Sequence, residues 1–171
     1  MSKLETNTID TVSGTNTLTL GSSNLSTINM ASGVSPGTGM GKVLQVVSVT
    51  NTTQQTTTSQ SFVASTGLTA SITPSSTSSK ILISVMSNVR SSADAAYTLY
   101  RGSTNLSADS FVQIYAGGSD IRQLMTINYL DAPSTTSSTT YTLYFLAGSG
   151  TAYINQEGSK QGQIILMEIA G

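Results

Sequence analysis

The sequence predicts an all-β protein: an antiparallel β-sandwich or jelly-roll head preceded by an extended, fibrous N-terminal arm. Three observations carry this reading. No segment sustains apolar residues at the helical period, whereas short runs of β-branched, aromatic and aliphatic residues recur between turn-rich gaps. About a third of the residues are Ser or Thr, and Thr favours extended backbone. The chain also changes character near residue 40, which divides it into an arm with a Gly-rich linker (1–40) and a head (41–171).

The arm sets short apolar pairs in a Thr, Asn and Ser background with a loose repeat of about eight or nine residues. Asn7-Thr8-Ile9-Asp10-Thr11-Val12 is followed by Asn16-Thr17-Leu18-Thr19-Leu20, then by Asn24-Leu25-Ser26-Thr27-Ile28-Asn29-Met30. One copy of such a segment cannot bury these side chains, whereas several copies wound round one axis can. The arm is therefore expected to be fibrous and oligomeric. Ser32 to Gly41 reads as a linker, because its Gly and Pro content stops any regular element.

In the head, Val43 to Val49 is apolar at alternate and intervening positions and reads as a strand covered on both faces. Lys80 to Met86 places Ile81, Ile83 and Val85 on one face. Ala96 to Tyr100 and Phe111 to Tyr115 read as strands ended by Gly-containing turns. Leu124 to Leu130, Tyr141 to Leu146 and Gln163 to Ile169 complete the series. The Thr-rich stretches Thr50 to Ser61 and Ser134 to Thr140 read in part as strands facing solvent or another subunit. Seven or eight strands without crossover helices imply antiparallel sheets.

The composition argues against chemistry. The chain has no histidine, cysteine or tryptophan, so the usual nucleophile–base pairs, zinc sites and redox motifs lack their residues. No cofactor, no metal and no catalytic residue is expected. The Gly-rich stretch ending in Gly41-Lys42 is not a phosphate loop: Pro36 stands where its first Gly belongs, and Val43 replaces the magnesium-holding Ser or Thr. Asp94, Asp109, Asp120, Asp131, Glu157 and Glu168 are scattered, and most read as turn residues capping local backbone. Seven dispersed basic residues and a pI near 5.1 argue against nucleic acid. No apolar run is long enough to insert into a membrane, and the start lacks a signal-peptide h-region, so assembly in a host cytoplasm is expected. A net charge of -1 repels other copies weakly, which favours self-association.

The seven tyrosines are the residues that suit a ligand. A tyrosine ring stacks on a sugar while its hydroxyl hydrogen-bonds. Tyr115 and Tyr153 lie near Gly-containing loops and are the candidate ligand contacts. Tyr97, Tyr141 and Tyr144 lie in strand patterns and are expected to fill the core or subunit contacts.

Several stretches of the head, taken in order, are Gly41 to Val47, Gly67 to Pro74, Ser78 to Ile83, Leu99 to Leu106, Tyr129 to Thr135 and Ile164 to Ala170. Together they resemble a domain of tail-fibre-like virion proteins of bacteriophages, notably marine ones. Ile9 to Gly14 and Leu18 to Ser22 are similar to the thread-like lead-ins of such fibres. The resemblance implies a homotrimeric virion component with an intertwined shaft and a β-sandwich head, and it implies no residue-level site. The expected partners are further copies of the chain, other virion proteins through residues 1–40, and host-surface glycan. Two functions follow as expectations: a fibre or fibre-tip contacting the host, or a capsid decoration protein capping a threefold junction.

Overall fold

The computed structural model describes residues 42–117, 119–156 and 161–171. The expected arm and Gly-rich linker, and Glu157, lie outside the described residues. Those described form two antiparallel sheets without a helix. The strands are β1 (Val43–Asn51), β2 (Gln55–Thr57), β3 (Val63–Ile72), β4 (Lys80–Ser91), β5 (Ala95–Arg101), β6 (Thr104–Asn105), β7 (Val112–Ile114), β8 (Ile121–Asp131), β9 (Thr139–Ala147), β10 (Ala152–Ile154) and β11 (Gly162–Ile169).

Sheet A runs β8, β4, then β10 with β11 along one line, then β2 with β1 along the next. Sheet B runs β3, β9, β5, then β6 with β7 on one line. Counting each collinear pair as one strand gives the orders 1-8-3-6 and 2-7-4-5, the jelly-roll topology of two Greek keys. The expected fold class is present.

The core lies between the sheets and follows from period-two alternation. Ile81, Ile83, Val85 and Val89 of β4 face Tyr97 and Leu99 of β5 and Leu143 and Phe145 of β9, all within 1% of complete burial. Each such side chain contributes about 2 kcal/mol by leaving water. Burial also pushes the Tyr97 phenol well above its ordinary pKa; its hydroxyl donates to the Tyr153 carbonyl at 3.2 Å.

Both collinear breaks in sheet A meet at one polar junction. Asn155 leaves β10 in the left-handed region (φ 51°), which Asn tolerates better than most residues. Its backbone N–H donates to Ser87 Oγ, Ser87 Oγ donates to its Oδ1, and its Nδ2 donates to Asn51 Oδ1 and the Thr53 carbonyl. A Cβ on Gly162 would overlap Asn155 Oδ1, so glycine alone lets β11 begin there.

Asp131, expected to cap a turn, sits instead at the end of β8, and Glu168 lies in β11, where a strand is expected; both are buried. Asp131 accepts both its Arg101 hydrogen bonds at 2.8 Å and a third from the Tyr141 hydroxyl at 2.6 Å, which ties β8 of sheet A to β5 and β9 of sheet B. Burial first, and then this bond to Asp131, push the Tyr141 phenol up. Glu168 accepts from the Ser75 N–H and hydroxyl, Gln45 Nε2 and the Ser79 hydroxyl at 2.6–2.7 Å. Burial opposes its ionisation, but these donors outweigh it and hold the carboxyl down at about 2.

The expected strand at Val43 to Val49 exists, yet it is an edge strand and only one face is covered. Val47 and Val49 pack on the core, whereas Leu44 and Val46 are exposed. Thr50 to Ser61 supplies the end of β1 and all of β2, while Ser134 to Thr140 supplies only the first two residues of β9.

The strand directions define two poles. Lys42 enters at the pole where Val43 pairs with Ile169 and Ile169 with Lys80, and Gly171 leaves there. The Ala170 N–H donates to the Lys42 carbonyl at 2.9 Å. The opposite pole gathers the β2–β3, β4–β5, β7–β8 and β9–β10 loops. Hydrogen bonds from Ala147 N to Ser59 O, Gly148 N to Asp94 O and Ser92 N to Thr151 O join three of them to one another.

Candidate functional site

Tyr115 stands at this loop pole, just past the end of β7, and is 73% exposed. The turn that follows it closes through Ser119 N–H donating to the Ala116 carbonyl at 2.8 Å, with Gly117 at φ 54°. That positive φ suits glycine and lets the chain turn just after the tyrosine. The Tyr115 hydroxyl donates to Gln113 Oε1 at 2.6 Å, and Gln113 Nε2 donates to Asp109 Oδ2 at 3.1 Å. Asp94 Oδ1 accepts the Ala116 N–H at 3.3 Å, which ties the β4–β5 loop to the tyrosine's own loop.

These groups border a pocket of about 140 Å³ on the outer face of sheet B. Asp94, Gln113 and Tyr115 supply its polar edge, and Ala96 and Leu146 its apolar floor. An exposed aromatic ring, a carboxylate, an amide and a small apolar floor are the parts that hold a sugar. The ring and floor take the C–H face, and the polar groups take hydroxyls. The lining has one carboxylate, whereas glycoside hydrolysis uses two.

The apolar floor continues along β9 into an aromatic cluster. Leu146 and Tyr144 share an outward face, and the Tyr144 ring stacks on Tyr100 at 3.9 Å between centroids. Phe62 meets Tyr100 edge-on at 6.4 Å. Beside it, the Thr69 and Thr142 hydroxyls bond at 2.7 Å, as do those of Ser71 and Thr140. The outer face of sheet B therefore runs from Tyr115 through aromatic rings to a ladder of hydroxyls.

Tyr153 does not belong to this surface. It lies on β10 of sheet A between the buried Ala152 and Ile154, so its ring is on the other side of the sandwich. The Arg90 guanidinium covers the ring at 4.7 Å from its centroid, and Arg90 Nε also donates to both Asp120 oxygens at 2.8 and 2.9 Å. Chiefly this hydrogen bond holds the Asp120 carboxyl below its usual range. The two candidate tyrosines thus share a pole without sharing a site.

The sequence reading missed Asp94, Gln113, Tyr100 and Tyr144 as members of the surface. For Tyr144 the signal was parity: Tyr141, Leu143 and Phe145 point inward, so residue 144 points outward. Tyr97 and Tyr141 fill the core as expected. Among the described residues, no group of three or more acidic side chains is placed to hold a metal ion. Nor does any helix there have the length and apolarity to cross a membrane. In comparisons with known proteins, no family model matches this chain, and no curated protein matches it.

Proposed function

We propose that this chain is a non-enzymatic structural protein of a bacteriophage virion, a homotrimeric fibre or fibre-tip whose head contacts host-surface glycan. The observation that carries this reading is the placement of the Tyr115 pocket. It lies at the pole opposite Lys42, where the head is joined to the chain that precedes it. The exposed ring, the Asp94 carboxylate and the Gln113 amide supply the chemistry that a sugar needs. A pocket of this size and openness holds a single sugar weakly, so three copies on one rigid trimer would act through multivalency.

The test is competition for host cells between purified full-length protein and phage. Saturating protein is expected to block adsorption, and Tyr115→Ala to weaken the block by about tenfold, as loss of one aromatic contact does. No competition at saturation overturns the reading. Copy number in purified virions separates it from capsid decoration. A few tens per particle, on the order expected of a tail-associated trimer, support the fibre, whereas hundreds mean decoration.

A further inference from the structure

Seven large hydrophobic side chains are exposed among the described residues, and one of them is Tyr115. The other six, Val43, Leu44, Val46, Met86, Leu124 and Leu130, all belong to strands of sheet A. The register aligns two of them with half-buried neighbours. Val46 of β1 pairs with Met167 of β11, Met167 with Leu82 of β4, and Leu82 with Leu130 of β8. All four lie opposite in parity to the core-facing residues, so they form one apolar row across the full width of the outer face. Among the described residues, the charges on this face stand at its margins: Lys80 toward the entry pole, and Arg90, Asp120 and Arg122 toward the loop pole.

We propose that this face is the contact between copies of the chain, burying the row Val46, Met167, Leu82 and Leu130 against a neighbouring copy. Three arguments select that occupant. Four strand positions at about 4.8 Å and some nine residues at about 3.3 Å give a planar footprint of roughly 600 Å² before side-chain relief. That is the order of the roughly 800 Å² each partner gives to a stable interface, and the apolar row lies within it beside the more polar row Ser48, Ile165, Ser84 and Asn128, as an apolar strip with a polar border does in such contacts. The row offers no donor or acceptor side chain to a glycan, and no aromatic belt or basic field to a membrane. Finally, a net charge of -1 leaves little repulsion between copies. The inference deepens the trimeric reading above and rests on it for the stoichiometry.

The chain lacks cysteine, so introduced thiols report the surface directly. Leu130→Cys and Val46→Cys are made in the full-length protein, with Ser103→Cys in the exposed β5–β6 turn as reference. Maleimide labelling is followed alongside mass by light scattering. In the assembled protein, the thiols at 130 and 46 are expected to react about tenfold more slowly than that at 103. The protection is expected to vanish at the dilution where the mass falls to one chain. Equal labelling rates in an assembled wild-type protein overturn the face while leaving the trimer standing. Protection that persists in the single chain means cover from within the same molecule and also overturns it. A wild type that is monomeric at every concentration overturns both. A protected dimer supports the face and overturns the trimeric reading.

Discussion

The outer faces of sheets A and B share one core and obey the same alternation, yet they expose different chemistry. On sheet A, Val46, Met167, Leu82 and Leu130 line up in a single apolar row, with the described charges at its margins. On sheet B, Tyr115, Gln113 and Asp94 edge a pocket that leads to the Tyr100–Tyr144 stack and to paired hydroxyls. The inward residues are fixed by the need to pack, so their identities say little beyond the fold. The outward residues are free to differ, and there they do. In this protein function is therefore to be read from the half of each strand that does not build the core.

The comparison can be broken most severely by cutting what the two sheets share. Asp131→Ala removes the carboxylate that holds the half-buried Arg101 guanidinium and the Tyr141 hydroxyl, leaving that buried hydroxyl without its acceptor. A loss of about 2–3 kcal/mol is expected in denaturant unfolding, and both faces should disappear together. Survival of either face alone would mean that the sheets are independent units.

Acid gives a graded version of the same test. The Glu168 carboxyl titrates at about 2 in the fold, against about 4.3 for an unperturbed glutamate. Its contribution is therefore complete above the unfolded value and is lost as pH falls from about 4.3 toward about 2. Thermal unfolding should show this slope, and Glu168→Gln should flatten it. The bonds to Ser75 and Ser79 place the effect on the β3–β4 loop, so hydrogen exchange should rise there first.

The smallest effect sharpens the contrast most. Leu130→Lys and Tyr115→Ala each alter an exposed side chain, and each should change the stability of the head by no more than about 0.5 kcal/mol. Their consequences should not overlap: the first impairs assembly and spares host-cell competition per assembled particle, and the second does the reverse. A variant that impairs both would merge the two faces into one surface.

The sequence exposed most of the strands because they are long and dense in Ile, Val, Leu and Tyr. β3 escaped because Ala, Ser, Thr and Gly dilute it, and because its register shifts between Ala64 and Thr69. Inward positions are odd at Ser65 and even from Leu68 onward, so no single period describes the strand. β1 was misread for the opposite reason. Its Val-rich run is apolar at every step, and periodicity cannot tell a buried strand from an edge strand with an apolar outer face. Of the site, Tyr115 was legible from its place beside a Gly-containing turn. Asp94, Gln113 and Leu146 were not, because only the pairing of β5 with β7 and β9 brings them within reach of it.

If the head is the tip of a fibre, as proposed, the pairing of β1 with β11 sets how it would bear load. Lys42 is followed at once by an edge strand whose partners run from Val43–Ile169 to Asn51–Gly162. A pull on Lys42, resisted at the loop pole, acts along this strand, so the hydrogen bonds of the ladder strain together in shear. A pull across the strand would instead open them one at a time, like a zip. On the proposed reading, chain entry at this pole makes β1 a clamp along the direction in which the head would be drawn.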